Sequence, residues 1–158
     1  REDIAPLSIP LENGGRVRFG VLICYEDIFP EVSRLETARG AAFLVNITND
    51  AWYGRTSAPF QHVSMTVFRA IEDRRSVVRS AQTGVSAFVD PTGRVRTRTG
   101  IFEGPLTLHV DVPHGGPSSF YVAFGDVFAA ACSGLVLAAA ARALLSPSRA
   151  ATPVLVRS

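Results

Sequence analysis

Two hydrophobic periodicities divide the chain. Arg16 to Cys24 is a short, branched apolar run bounded by the turn Gly14-Gly15 and by Phe29-Pro30, which predicts a buried strand. Tyr25 to Ile28 makes a sharp exit. Pro30 suits the first turn of a helix, where its missing N–H costs nothing, and the helix is expected over Glu31 to Arg39 with Gly40 as its stop. Ala41 to Ile47 is a second continuous apolar run, expected as a parallel strand. Thr48 to Pro59 is polar and turn-rich but carries Trp52 and Tyr53. From Phe60 to Arg74 the period lengthens: Val63, Val67, Ala70 and Ile71 recur at helical spacing, with Arg69 and Glu72 one turn apart. Val77 to Ser80, Val85 to Val89 and Val95 to Thr99 read as strands, with Asp90-Pro91-Thr92-Gly93 as a type I turn. Leu106 to Val112 alternates as a half-buried strand does and puts His109 on the polar phase. Pro113 to Ser119 is a linker. The β–α–β order predicts a layered α/β domain.

The pattern then changes solvent. Val127 to Leu145 is nineteen residues long with one charge, Arg142, near its far end. At 1.5 Å per residue it reaches roughly 28 Å, close to the hydrocarbon thickness of a bilayer. Phe120, Tyr121 and Phe124 precede it as an interfacial girdle would. Arg142, Arg149 and Arg157 follow, with no acidic residue after Asp126. A transmembrane helix with a cytoplasmic C-terminal tail is expected, which puts the α/β domain on the other side of the membrane. The alternative is an Ala-rich core helix of a soluble protein. The expected organisation is residues 1–117 as α/β domain, 118–146 as membrane-interface segment and span, and 147–158 as tail.

Composition narrows the chemistry. A net charge of +2 gives no reason to expect a nucleic-acid partner. All basic residues are arginine, so a mechanism that needs lysine cannot be completed by this chain alone. Two cysteines, Cys24 and Cys132, lie in unlike contexts and exclude a disulfide framework. The three histidines are scattered, no zinc-site spacing occurs, and no metal or cofactor is expected. The opening residues Arg1 to Pro10 are polar, lack a signal-peptide pattern and do not begin with Met, as expected of a piece of a longer protein.

Cys24 stands at the carboxyl end of a buried strand, where open α/β sheets place reacting groups. Taken alone, it reads more readily as a small core hydrophobe. As a nucleophile it needs a base or positive charge nearby, because a free thiol is mostly protonated at neutral pH. His62 is a candidate partner, although no third group is evident, and closing a helix start is its other reading. Glu26 lies two residues on and would share the face of Cys24 if the strand continued. The backbone N–H of Tyr25 suits an oxyanion donor if the chain turns sharply. Trp52 and Tyr53 suit a substrate wall beyond a strand end. For Trp52 the other reading is packing into a neighbouring core.

Gly20-Val21-Leu22-Ile23-Cys24-Tyr25-Glu26 followed by Phe29-Pro30-Glu31 resembles the nucleophile segment of the nitrilase, or carbon–nitrogen hydrolase, superfamily. Arg39-Gly40-Ala41 and Arg69-Ala70-Ile71-Glu72 also match it. Asn46-Ile47-Thr48-Asn49-Asp50-Ala51-Trp52-Tyr53-Gly54, Pro59-Phe60-Gln61-His62 and Thr83-Gly84-Val85-Ser86-Ala87, with a terminal membrane helix, resemble the apolipoprotein N-acyltransferase family. The resemblance runs from Gly20 to Leu145. It implies part of an αββα sandwich on the outer face of the bacterial inner membrane. It implies Cys24 as nucleophile, with Tyr25 and Glu26 at positions the family treats as functional. The implied partners are a phospholipid acyl donor, a diacylglyceryl-modified apolipoprotein acceptor and the bilayer. The family's general-base Glu and its Lys lie upstream of the nucleophile. Glu2 and Glu12 stand too near the start to match that base. A C-terminal piece, inactive alone, is therefore expected. A soluble nitrilase-type amidase and a non-catalytic membrane-anchored module are the competing readings.

Overall fold

The protein is described here from a computed structural model covering residues 4–104 and 116–145. The expected strand Leu106–Val112 with His109, the start of the linker and the tail 147–158 lie outside the described residues. Two compact units are present, residues 1–125 and 126–158.

The first unit is built on one six-stranded sheet in the sequential order β1 to β6. The strands are β1 Leu7–Pro10, β2 Arg16–Ile23, β3 Phe43–Asn49, β4 Val77–Gln82, β5 Ala87–Val89 and β6 Val95–Arg98. The central pairs β2–β3 and β3–β4 are parallel, as the uninterrupted apolar runs require; β1–β2, β4–β5 and β5–β6 are antiparallel. The helices α1 Pro30–Ala38 and α2 Ala58–Asp73 make the crossovers. Pro30 stands at the first position of α1, and Gly40, at φ +96°, follows its end.

Side-chain alternation decides what is buried. On the helix-facing phase, Leu22, Leu44 and Val77 are fully buried and form the core with Val63, Ala70, Val85 and Val89. Gly20 lets α1 approach β2, since a Cβ there would stand 2.7 Å from Glu36 Cβ and 2.8 Å from Leu44 Cδ2. The opposite phase is also apolar yet open: Ile23 is 53% exposed and Ile47 50%. Phe19 and Phe43 stack on that face at 5.5 Å between centroids.

Several boundaries differ from those expected. The strand β1, exposed at every position, lies in the opening stretch expected from sequence as a polar piece and not as a strand. The strand β2 stops one residue before Cys24, which adopts φ +51°. In α2, Val63 and Ala70 are buried but Ile71 is 47% exposed. The buried face of that helix also carries His62, Thr66, Arg69 and Asp73. The turn at Asp90–Gly93 closes with Gly93 N donating to Asp90 O at 2.9 Å.

The aromatic segment forms a short helix, α3 Phe120–Phe124, capped by the Ser119 hydroxyl, which accepts from Val122 N at 2.9 Å. Val122 is buried, and its carbonyl accepts from Arg34 Nη1 at 3.0 Å, while Phe120 and Phe124 remain exposed. The second unit is α4 Val127–Leu145, a nineteen-residue helix with a mean hydropathy of 1.9 and exposed along its whole length. It is long and apolar enough to cross a membrane.

Candidate active site

The carboxyl ends of β2 and β3 frame the site. The chain leaves β2 through a 3-10 turn, Cys24–Ile28, and Cys24 itself is left-handed at φ +51°. For a residue with a Cβ this conformation costs about 1–2 kcal/mol, so the surroundings must hold it. Two contacts do so. The carboxylate of Glu26 accepts from Ile23 N at 2.7 Å. The amide of Asn46 donates to Leu22 O at 3.1 Å and to Cys24 O at 3.2 Å. The shared-face expectation for Glu26 therefore does not hold: the chain is turned, not extended, and Glu26 acts backwards on the strand end. Cys24 is partly exposed and, like Cys132, a free thiol. It lines an open groove of about 820 Å³ with Ile23, Ile47, Ser80, Phe88 and Glu103.

Behind the turn lies a cluster of charged side chains, all but inaccessible to solvent. Arg79 Nη1 donates to Asp27 Oδ2 at 2.9 Å, and its Nη2 donates to Asp50 Oδ2 at 2.9 Å. Nη1 also donates to Asn46 Oδ1 at 2.5 Å. His62 bridges the same two carboxylates, with Nε2 2.8 Å from Asp27 Oδ1 and Nδ1 3.0 Å from Asp50 Oδ1. Thr66 donates to Asp27 and Thr48 to Asp50. Burial works against the charged form of His62, and Arg79 adds to that, but the hydrogen bonds to Asp27 and Asp50 outweigh both and raise its pKa. With both ring nitrogens held by carboxylates, His62 is not free to take the proton of Cys24. The Cys24–His62 dyad entertained from sequence is not present.

The aromatic residues lie over this cluster. The Tyr25 ring stacks on His62 at 5.1 Å and meets Trp52 and Tyr53 edge-on at 5.8 and 6.4 Å. Trp52 and Tyr53 stack on each other at 5.0 Å within the 3-10 turn Ala51–Tyr53. Trp52 is 68% exposed, with Nε1 donating to Asn49 O, so it does not pack into the core of the described residues. Cys24, Tyr25, Glu26, Trp52 and Tyr53 thus lie on one end of the sheet.

Sequence reasoning gave no role to Asp27, Asn46, Asp50, Thr66 or Arg79. A signal was present. Asn46 and Arg79 interrupt apolar strands on the phase that faces the helices, and the two are register partners. A polar residue there must find buried partners. Gly84 belongs to the same design, because a Cβ there would stand 2.6 Å from Asp50 Cβ. Among the described residues no group of His, Cys, Asp and Glu could hold a metal ion.

Cys24 is thus a free thiol at a strand end, in a left-handed turn beside an open groove. The family profile for carbon-nitrogen hydrolases matches residues 6–115, and the chain belongs to that family. It is 52% identical over 118 residues to the apolipoprotein N-acyltransferase of Geobacter metallireducens, an alignment covering 75% of this chain and 22% of that protein. It is 40% identical over 123 residues to the enzyme of the same name from Chlorobaculum tepidum, covering 78% and 23%. Among solved structures, an amidase from Nesterenkonia sp. superposes with a TM-score of 0.51 at 27% identity, covering 63% of this chain and 39% of that one. The chain thus spans less than a quarter of the length of these two curated relatives.

Proposed function

We propose that this chain is the nucleophile-bearing, C-terminal part of an apolipoprotein N-acyltransferase. The observation that carries the reading is Cys24 in its left-handed turn at the end of β2, in a chain 52% identical to a protein of that name. The thiolate of Cys24 attacks the ester carbonyl of a phospholipid. The tetrahedral intermediate collapses, the C–O bond breaks and the lysophospholipid leaves with the proton given up by the thiol. The amine of a diacylglyceryl-modified N-terminal cysteine then attacks the thioester carbonyl. An amide forms, the C–S bond breaks, and the proton lost by the amine restores the thiol. The covalent intermediate lets two lipid substrates use one groove in turn. The backbone N–H of Tyr25 serves the oxyanion, Glu26 fixes the turn, and Trp52 and Tyr53 wall the substrate. No cofactor takes part.

Two features support an incomplete site. The chain has no lysine, and the base and lysine expected from the family resemblance stand upstream of the nucleophile. The sheet face bearing Phe19, Ile23, Phe43 and Ile47 is apolar and open, whereas a parallel sheet is ordinarily covered on both sides. We place the remainder of the catalytic domain on that face, so the isolated chain is inactive. The helix α4 anchors the protein in the bacterial inner membrane, with the first unit periplasmic and the C-terminus cytoplasmic.

The test is mass spectrometry of the full-length protein incubated with phospholipid vesicles. A hydroxylamine-labile acyl adduct on the Cys24 peptide, absent from Cys24→Ala, is expected. An intact enzyme that releases free fatty acid or ammonia and never passes the acyl group to a lipopeptide amine would be a hydrolase instead. The same adduct on the isolated 158-residue chain would overturn the claim that it is inactive alone.

A further inference from the structure

The buried cluster behind Cys24 has a charge balance that fixes the state of His62. Asp27 and Asp50 are fully enclosed and bring two negative charges, while Arg79 brings one positive charge. Each nitrogen of His62 faces a carboxylate oxygen, at 2.8 and 3.0 Å. A neutral imidazole has one N–H only and would point a lone pair at one of the carboxylates. An imidazolium donates to both and brings the cluster to neutrality. A net buried charge is costly, so the neutral sum is the favoured one.

The cluster reaches the nucleophile by two routes. Arg79 holds Asn46, whose amide holds the carbonyls of Leu22 and Cys24. Asp27 sits within the Cys24–Ile28 turn, and Tyr25 stacks on the His62 ring. We propose that His62 is a positioning residue held as an imidazolium, which completes a charge-neutral quartet with Asp27, Asp50 and Arg79 and thereby holds the Cys24–Tyr25 turn in its left-handed conformation. Loss of that proton leaves a net negative charge in the cluster and loosens the turn.

Among the described residues, His62 is faced by Asp27 and the Tyr25 ring from the turn, Asp50 and the Tyr53 ring from the loop after β3, and Arg79 from β4. The sign follows. A histidine whose pKa is raised on folding contributes stability in full below its ordinary value of about 6.5 and loses it as pH rises through the raised value. The site therefore has an alkaline limit set outside the reacting atoms.

The inference rests on Cys24 being the reacting thiol, and its test separates the two claims. In the full-length protein with ¹⁵N-labelled histidine, both His62 ring nitrogens are expected to give protonated signals at about pH 7, where an exposed histidine is mostly neutral. A single protonated nitrogen overturns the assignment. Alkylation of Cys24 by iodoacetamide reads the turn without any acyl substrate. His62→Gln, which leaves the quartet one positive charge short, is expected to change that rate about tenfold. Adding Asp50→Asn restores neutrality and is expected to bring the rate back toward that of the wild type. A double variant no closer to wild type than the single overturns the charge-balance role. If His62→Gln does not fold, recovery of folding in the double variant supports the proposal and continued failure counts against it. An imidazolium signal together with a missing acyl adduct would sink the acyl-transfer reading and leave this one standing.

Discussion

The two halves of α2 handle buried polarity in opposite ways. The first half sends His62 into the quartet, where Asp27, Asp50, Arg79 and His62 are each satisfied by an opposite charge, and Thr66 at mid-helix donates to Asp27. The second half carries Arg69 and Asp73, which with Glu36 form a less complete set. Asp73 is fully buried and has no ion pair among the described residues, and burial, opposed by Ser33 and Arg69, raises its carboxyl to about 7. Glu36 is likewise raised, first by its burial, and one of its carboxylate oxygens is enclosed without a hydrogen-bond partner. Both halves bury acids under the same helix. In the second, Arg69 pairs with Glu72 at 2.7 Å and Asp73 keeps a raised pKa; only the first backs the nucleophile. Full pairing fixes geometry; partial pairing leaves buried acids with raised pKa values.

The largest effect is expected from breaking the paired half. Arg79→Met removes a cation shared by two buried carboxylates and should cost about 3–5 kcal/mol, enough to unfold a marginal domain. Denaturant melts with Cys24 alkylation as a second readout check it. The second half predicts the opposite sign. Asp73 binds its proton more tightly when folded, so its penalty grows as pH rises from about 3.8 to about 7. Asp73→Asn should therefore stabilise the protein by a few kcal/mol at pH 8 and by almost nothing at pH 4, in paired melts at the two pH values. A flat response would mean that Asp73 is neutralised by its neighbours.

A smaller effect is expected at the link between the quartet and the turn. Asn46→Ala leaves the carbonyls of Leu22 and Cys24 without their donor and should cost about 1–3 kcal/mol. It should also change the alkylation rate of Cys24 out of proportion to the stability loss. Asp90 offers a control distant from the chemistry. Despite its burial, Thr92, Arg94 and Arg96 donate to its carboxylate and lower its pKa to about 2. Its contribution is present above the ordinary aspartate value and is lost as pH falls toward 2; Asp90→Ala should remove that acid limb of the melt and leave Cys24 alkylation unchanged. The smallest effect on stability is expected at Trp52→Ala, under about 1 kcal/mol because the ring is 68% exposed. Any larger loss in acyl transfer then reports on substrate contact.

The sequence by itself determined the order of elements from β2 to β6, the parallel centre of the sheet, the strand-end cysteine and the apolar terminal helix. Each follows from a local pattern: continuous branched runs for Leu22 and Leu44, Pro30 and Gly40 at the ends of α1, and a nineteen-residue apolar stretch for α4. The motif order also carried the family, because several short matches in sequence are far more specific than one. Only the tertiary structure decided the conformation of Cys24 and what holds it. Its φ of +51° is set by Glu26 three residues past Ile23 and by Asn46 on the next strand. The quartet joins residues 27, 50, 62 and 79, which no periodicity links. Charge pairing in a buried site depends on distances of about 3 Å between elements far apart in the chain. Hydrophobic patterning reports which face is inward and is silent on how inward-facing charges find one another.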